Sequence, residues 1–294
     1  MRKLTLIALS VFLISGVEFE HHHEHDCQGF APENNAYIPV QGFEQTGITE
    51  EVFHMVLDRI DLLFAPKIEA LGGRLVIERK WKDGTVNAYA QRIGQTYRIS
   101  MFGGLARHVE VNPLAFAAVA CHEIGHHIGG FPRKNNNTRW AATEGQSDYY
   151  ATLKCLREFV EGVSDEELAA FEMDEWDINP VAEARCDQIH WDLFNRLYCY
   201  YGAVAGQSLA NLLADLGRSP MPNFETPSTK QVTRTFENHP QAQCRLDTYF
   251  HGALCDKSIL ESVNDDDHMM GTCNRAEGYS EGIRPLCWYR PPEA

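Results

Sequence analysis

Residues 112–130 read NPLAFAAVACHEIGHHIGG, and the organisation of the whole chain can be worked outward from them. Asn112 suits a helix N-cap, because its side-chain oxygen can accept an otherwise unpaired backbone N–H, and Pro113 suits the first helical position, where no N–H is needed. Apolar residues continue through Leu114, Ala118, Cys121 and Ile128 until Gly129, Gly130 and Pro132 end the helix. Within it, His122-Glu123-Ile124-Gly125-His126 is an H-E-x-x-H. Residues four apart share a helix face, so both imidazoles reach one ion and Glu123 sits beside it. Such a face offers zinc two neutral nitrogen ligands and leaves a carboxylate free to take a proton from water acidified by the metal.

The third ligand separates the types of zinc site. An extended H-E-x-x-H-x-x-G-x-x-H needs histidine at position 132, where this chain has Pro132. Downstream, Glu144-Gly-Gln-Ser-Asp148 places two carboxylates four apart. On a helix, Glu144 can ligate zinc while Asp148, one turn on, accepts a proton from the second nitrogen of a ligand histidine. The expected metal set is therefore His122, His126 and Glu144, with Asp148 behind it and one Zn2+ per chain.

The flanking segments place this helix in a scaffold. Residues 49 to 70 carry Val52, Phe53, Val56, Leu57, Ile60, Leu63 and Phe64 at helical spacing, and Gly72-Gly73 stops them. Leu75 to Trp81, Thr85 to Gln91 and Thr96 to Met101 are β-type runs divided by Asp83-Gly84 and Gly94, which predicts a small antiparallel sheet. A second helix is expected from Thr138 to Val163, an acidic surface helix or loop from Ser164 to Asp177, and further helix from Pro180 to Leu216. From Arg218 onward, Pro, Gly, Asn and Cys predict a loop-rich end stapled by disulfides. His127 points about 100° from His126 and reads as a surface or packing residue. His54, His108, His190, His251 and His268 receive no role.

In this order the motifs resemble those of gluzincin endopeptidases of the kind that includes the CAAX prenyl proteases, the HtpX-like heat-shock proteases and their soluble periplasmic relatives. Val86-Asn87-Ala88-Tyr89-Ala90 resembles the family's edge strand and Gly103-Gly104-Leu105 its turn before the metal helix. His122 to His126, then Glu144 to Asp148 followed by Ala151, and finally His239-Pro240 with Arg245 complete the match. The resemblance covers roughly residues 50 to 160 and 235 to 250. It implies Glu144 as third zinc ligand, Asp148 behind a ligand histidine, and His239 near the catalytic water. It also implies residues 87 to 91, with Asn87, Ala88 and Tyr89, as the edge along which substrate backbone pairs. By residue type alone, His239 before a proline is equally a plain loop residue. Arg245 can balance Asp148, steady a developing oxyanion, or simply hold the disulfide-rich end by a salt bridge. The membrane helices of the prenyl and HtpX-like enzymes have no counterpart here. Conversely, the segment from 164 to 178 and the cysteines from Cys244 to Cys287 have no match in the family, and are expected to shape or cover the cleft.

Composition sets outer limits. The 294 residues include 41 Asp plus Glu against 26 Lys plus Arg, a net charge of −15, which disfavours duplex nucleic acid and anionic membrane surfaces as partners. Arg2 and Lys3 followed by an apolar run from Leu4 to Ile14 and then Ser15-Gly16 read as a signal peptide over 1–16, with a polar, His-rich segment over 17–45 containing His21, His22, His23 and His25. A peptidase core is expected over 46–217 and a Cys-rich part completing the cleft over 218–294. Nine cysteines fit an oxidising compartment, periplasmic or secreted, and Cys121, inside an apolar helical run, is the expected free thiol.

The expected fold class is α/β, of the α+β kind and zincin-like. A small, mostly antiparallel sheet packs on the H-E-x-x-H helix and a second E-x-x-x-D helix, followed by a helical and disulfide-rich C-terminal part. The expected function is zinc-dependent hydrolysis of peptide bonds in protein or peptide substrates, with Glu123 as general base and no stable membrane insertion once the signal is removed. The alternative is a zinc-containing, proteolytically weak chaperone or envelope-protein assembly factor using the same cleft. A purely structural zinc site is disfavoured because such sites take four protein ligands, mostly thiolates. Oligomeric state is left open.

Overall fold

A computed structural model describes residues 29–40, 47–135, 138–171 and 177–292. The signal-like residues 1–16, the His21 to His25 tract and Cys27 lie outside them.

The first helix, α1 (Glu50–Ala70), begins where Thr49 accepts the Val52 N–H and carries Glu50 and Glu51 in its first turn and Lys67 in its last, as the helix dipole favours. Phe53, Val56, Leu57, Ile60, Phe64 and Ile68 form its buried face, matching the helical spacing of the sequence. Three strands follow: β1 (Arg74–Lys80), β2 (Ala88–Ile93) and β3 (Thr96–Phe102). Strands β2 and β3 form a hairpin turning at Gly94, whose φ of +56° is a conformation glycine adopts without strain. The expectation of a small, mostly antiparallel sheet is corrected here. The order is β1-β3-β2, and β3 runs parallel to β1. Residues 81–87 carry the chain past the position of β3 to the far edge, and the hairpin returns β3 into the gap in the direction of β1. Strand β2 is thereby left at the edge.

After the short α2 (Gly103–Ala106), α3 (Pro113–Ile128) starts as expected, with Asn112 Oδ1 accepting the Ala115 N–H at 2.8 Å. Every residue of α3 from Pro113 to His127 is buried, so this helix is the centre of the molecule rather than a surface element. His127 is a packing residue, stacked on Trp140 with centroids 4.9 Å apart and 3.1 Å through Nε2 from the Arg98 carbonyl.

The following helix starts later than expected. Residues 138–143 turn back instead, with Arg133 bridging Ala142 and the Ala142 N–H donating to the His126 carbonyl at 2.9 Å. Helix α4 (Glu144–Tyr150) then runs through a π-helical turn (Ala151–Cys155) into α5 (Leu156–Val160). Helix α6 (Asp165–Ala170), closed by a Ser164/Glu167 capping box, buries no residue, as an acidic surface helix should. The expected single run from 180 to 216 is two helices, α7 (Pro180–Ile189) and α8 (Leu193–Gly217), because Asp192 caps α8 through the Asn195 N–H. The loop-rich C-terminal part also contains α9 (Ala242–Leu254), ten of whose residues are buried.

Four disulfides join Cys121 to Cys155, Cys186 to Cys199, Cys244 to Cys287 and Cys255 to Cys273. Cys121 is therefore not a free thiol. It faces the π-helical turn that packs on α3, with a Cα–Cα distance of 5.5 Å to Cys155, within the range a disulfide spans. No helix among the described residues is long and apolar enough to cross a membrane.

Candidate metal centre

Helices α3 and α4 present the three expected ligands to one point. The His122 and His126 rings lie one turn apart with centroids separated by 4.7 Å. Glu144, the first residue of α4, brings Oε2 to 3.3 Å from His122 Nε2 and 3.5 Å from His126 Nε2. All three residues are buried, and their ligand atoms lie within 4.8 Å of one another.

The ring protons are placed by what surrounds them. His122 Nδ1 lies 2.8 Å from Asp148 Oδ1, and His126 Nδ1 lies 2.9 Å from the Ala142 carbonyl. Both partners are acceptors, so each imidazole carries its proton on Nδ1 and turns the lone pair of Nε2 toward Glu144. No hydrogen bond closes on His122 Nε2, on Glu144 Oε2 or on either oxygen of Glu123. Lone pairs crowded together and buried without donors are costly unless a cation compensates them. Bonds of about 2.0–2.1 Å around a tetrahedral ion set neighbouring ligand atoms about 3.3 Å apart, close to the separations found here. The residues fit a divalent metal.

A second layer of contacts fixes the ligands. Asp148 is held by Arg245, whose Nε and Nη2 each lie 2.7 Å from a different carboxylate oxygen, and by the Tyr249 hydroxyl. Burial pushes the Asp148 carboxyl pKa up, but Arg245 and His122 more than reverse this, so it stays charged and can polarise His122. On the far oxygen of Glu144, the buried Lys134 donates through Nζ at 2.7 Å, leaving Oε2 as the atom that faces the histidines. Burial likewise raises Glu144, while His126, Lys134 and His239 hold it well below the usual carboxylate range. Glu123 goes the other way. Burial raises its pKa and His122 and His126 only partly offset that, which suits a group that accepts and returns a proton.

The remaining expected residues take different places. His239 places Nε2 at 3.5 Å from Glu144 Oε2 and donates to the Gly29 carbonyl at 2.6 Å. The Arg245 guanidinium is spent on Asp148 and on the Phe30 carbonyl, 2.6 Å from Nη1. Ala88 and Tyr89 lie on the edge strand, whereas Asn87 precedes it and is engaged by the backbone of Ala31 on both sides of its amide. Lys134, Tyr249, Phe30 and Ser147, whose Oγ lies 3.0 Å from His126 Nδ1, carry no site motif in the sequence. Tyr249 was legible in principle, since it stands one helical turn after Arg245 and so shares its face. Lys134 carried no such signal, because only the folded loop returns it to α4.

Compared with known family models, curated proteins and solved structures, the chain matches none.

Proposed function

We propose that the protein is a zinc-dependent endopeptidase of gluzincin type, acting outside the cytoplasm on protein or peptide substrates. The observation that carries this reading is the buried His122, His126 and Glu144 donor set with the unpaired Glu123 carboxylate alongside. A two-nitrogen, one-carboxylate set leaves a coordination position open, as hydrolytic zinc sites do and closed structural sites do not. A zinc ion held there supplies a Lewis acid for a peptide carbonyl and lowers the pKa of water at the site. Glu123 takes the water proton on a carboxylate oxygen and delivers it to the leaving amine. Asp148 keeps His122 in the tautomer that ligates, Lys134 orients Glu144, and His239 can donate from Nε2 to a carbonyl oxygen. Ala88 and Tyr89 offer the strand edge along which an extended peptide pairs. The four disulfides support an oxidising compartment.

The complete burial of His122, Glu123, His126 and Glu144 favours keeping a second reading, a zinc-containing chaperone or assembly factor of weak proteolytic activity. Substituting Glu123→Gln separates the two. Wild type and variant should each bind about one zinc per chain, while cleavage of an unfolded substrate falls by roughly 10²–10⁴ in the variant. Equal handling of unfolded protein by both forms, with no cleavage by either, would favour the chaperone.

A further inference from the structure

The metal centre is closed by the chain itself. Residues 29–38 run antiparallel to residues 84–88, just ahead of and into the edge strand β2. Ile38 N–H donates to the Gly84 carbonyl at 2.7 Å, Tyr37 bridges Thr85, and Phe30 N–H donates to the Ala88 carbonyl at 2.9 Å. At the metal end, the Gly29 carbonyl accepts from His239 and the Phe30 carbonyl from Arg245. The Phe30 ring stands edge-on to His122, centroids 5.3 Å apart, and is itself fully buried. Gly29 has no room for a side chain: a Cβ there would lie 2.6 Å from the Tyr89 ring, 2.7 Å from Asn87 Oδ1 and 2.8 Å from the Ala88 carbonyl.

Each of these contacts is one that a bound peptide would make. The backbone pairs with the sheet edge, one carbonyl faces the histidine nearest the ligands, and a side chain packs on a ligand imidazole. We propose that Gly29-Phe30-Ala31 is an intramolecular pseudosubstrate. It holds the site latent and reports the peptide the cleft takes: an extended chain with glycine followed by an aromatic residue. The proposal rests on the endopeptidase reading for what the site does once opened, and on the contacts alone for its being covered. Residues 36–38 are anchored separately, the Ile38 N–H on the Gly84 carbonyl and the Ala36 carbonyl on the Val86 N–H, so the cover can peel from its Gly29 end while the rest of the strap stays paired. A site competent only when uncovered has its apparent rate reduced by the uncovered fraction, so displacing the segment should raise that rate about tenfold or more.

The test uses the zinc-loaded chain carrying Gly29→Val, whose added side chain meets Tyr89, Asn87 and Ala88 and leaves His122, Glu123, His126 and Glu144 unsubstituted. Two quantities are read, the rate of zinc release to EDTA and the cleavage of unfolded casein. Both should rise about tenfold or more over wild type, and a capped Gly-Phe-Ala-Pro-Glu peptide should reverse both where Val-Phe-Ala-Pro-Glu does not. Zinc release and cleavage equal to wild type, in a variant that melts like wild type, would make the segment a structural strap and overturn the proposal. Faster zinc release without cleavage by any form leaves the cover standing and removes the endopeptidase reading. Should Gly29→Val fail to fold, amide hydrogen exchange on the Glu123→Gln chain decides. Casein must raise exchange across residues 29–33, and unchanged exchange overturns the proposal.

Discussion

Asp148 shows how much one side chain is asked to do. It accepts from His122, is bracketed by Arg245 and takes the Tyr249 hydroxyl, all without access to water. A buried carboxylate is tolerable only with such partners, and removing its charge affects His122 and the Arg245 guanidinium together. Asp148→Asn is expected to weaken zinc affinity about 10- to 100-fold, measured by competition with a fluorescent chelator. Unchanged affinity would mean that His122 needs no anionic partner to ligate. The H-E-x-x-H and the Glu144/Asp148 pair were legible because helical spacing alone puts these side chains on shared faces. Lys134 was not, since it meets Glu144 only after the 138–143 turn folds back on His126.

Helix α3 buries nearly its whole circumference, so every neighbouring element is positioned by packing on it. The link from Cys121 to Cys155 ties it to the π-helical turn that follows α4, and so ties the element bearing both histidines to the one bearing Glu144. Closing a loop of 34 residues in the unfolded chain is worth about 2–4 kcal/mol. The double variant Cys121→Ala/Cys155→Ala should lose about that much in urea unfolding monitored at equilibrium. A loss well under 1 kcal/mol would show that packing alone holds the two elements. An apolar helical setting pointed to a buried thiol at Cys121, and the burial is real. Its partner was invisible because Cys155 approaches through tertiary packing between segments whose mutual placement no local pattern encodes.

Across the molecule, several histidines are stored neutral in the interior, which makes the fold acid-sensitive. Burial lowers His190, and it lowers His251 from an ordinary 6.5 to about 4. Such a group binds its proton less readily folded than unfolded, so between about pH 4 and 6.5 the unfolded chain holds the extra proton. Its contribution to stability is complete above 6.5 and is lost as the pH falls toward 4. The urea midpoint should therefore drop as the pH is lowered from about 7 to 5, and His251→Gln should make that decline shallower. A midpoint that stays level, or rises, over this interval would contradict the assignment of neutral buried histidines.

The helix that carries the site, its N-cap, its stop, and the four residues His122, Glu123, His126 and Glu144 were legible in the linear order. Capping, helical periodicity and ligand spacing are local properties, decided within a turn or two of chain. The bounds of α1 and α3 were legible for the same reason, and the helical periodicity of residues 49–70 survives as the buried face of α1. Folding in three dimensions decided the rest. It made the sheet mixed by inserting β3 between β1 and β2, paired Cys121, broke the 180–216 run at the Asp192 cap and recruited α9, in a stretch composed like a loop, to place Arg245 on Asp148. It also set the Phe30 ring edge-on against His122 from more than 90 residues away in sequence. Contacts of that kind depend on which surfaces meet, and burial against a distant partner leaves no periodic trace in the segment that supplies it.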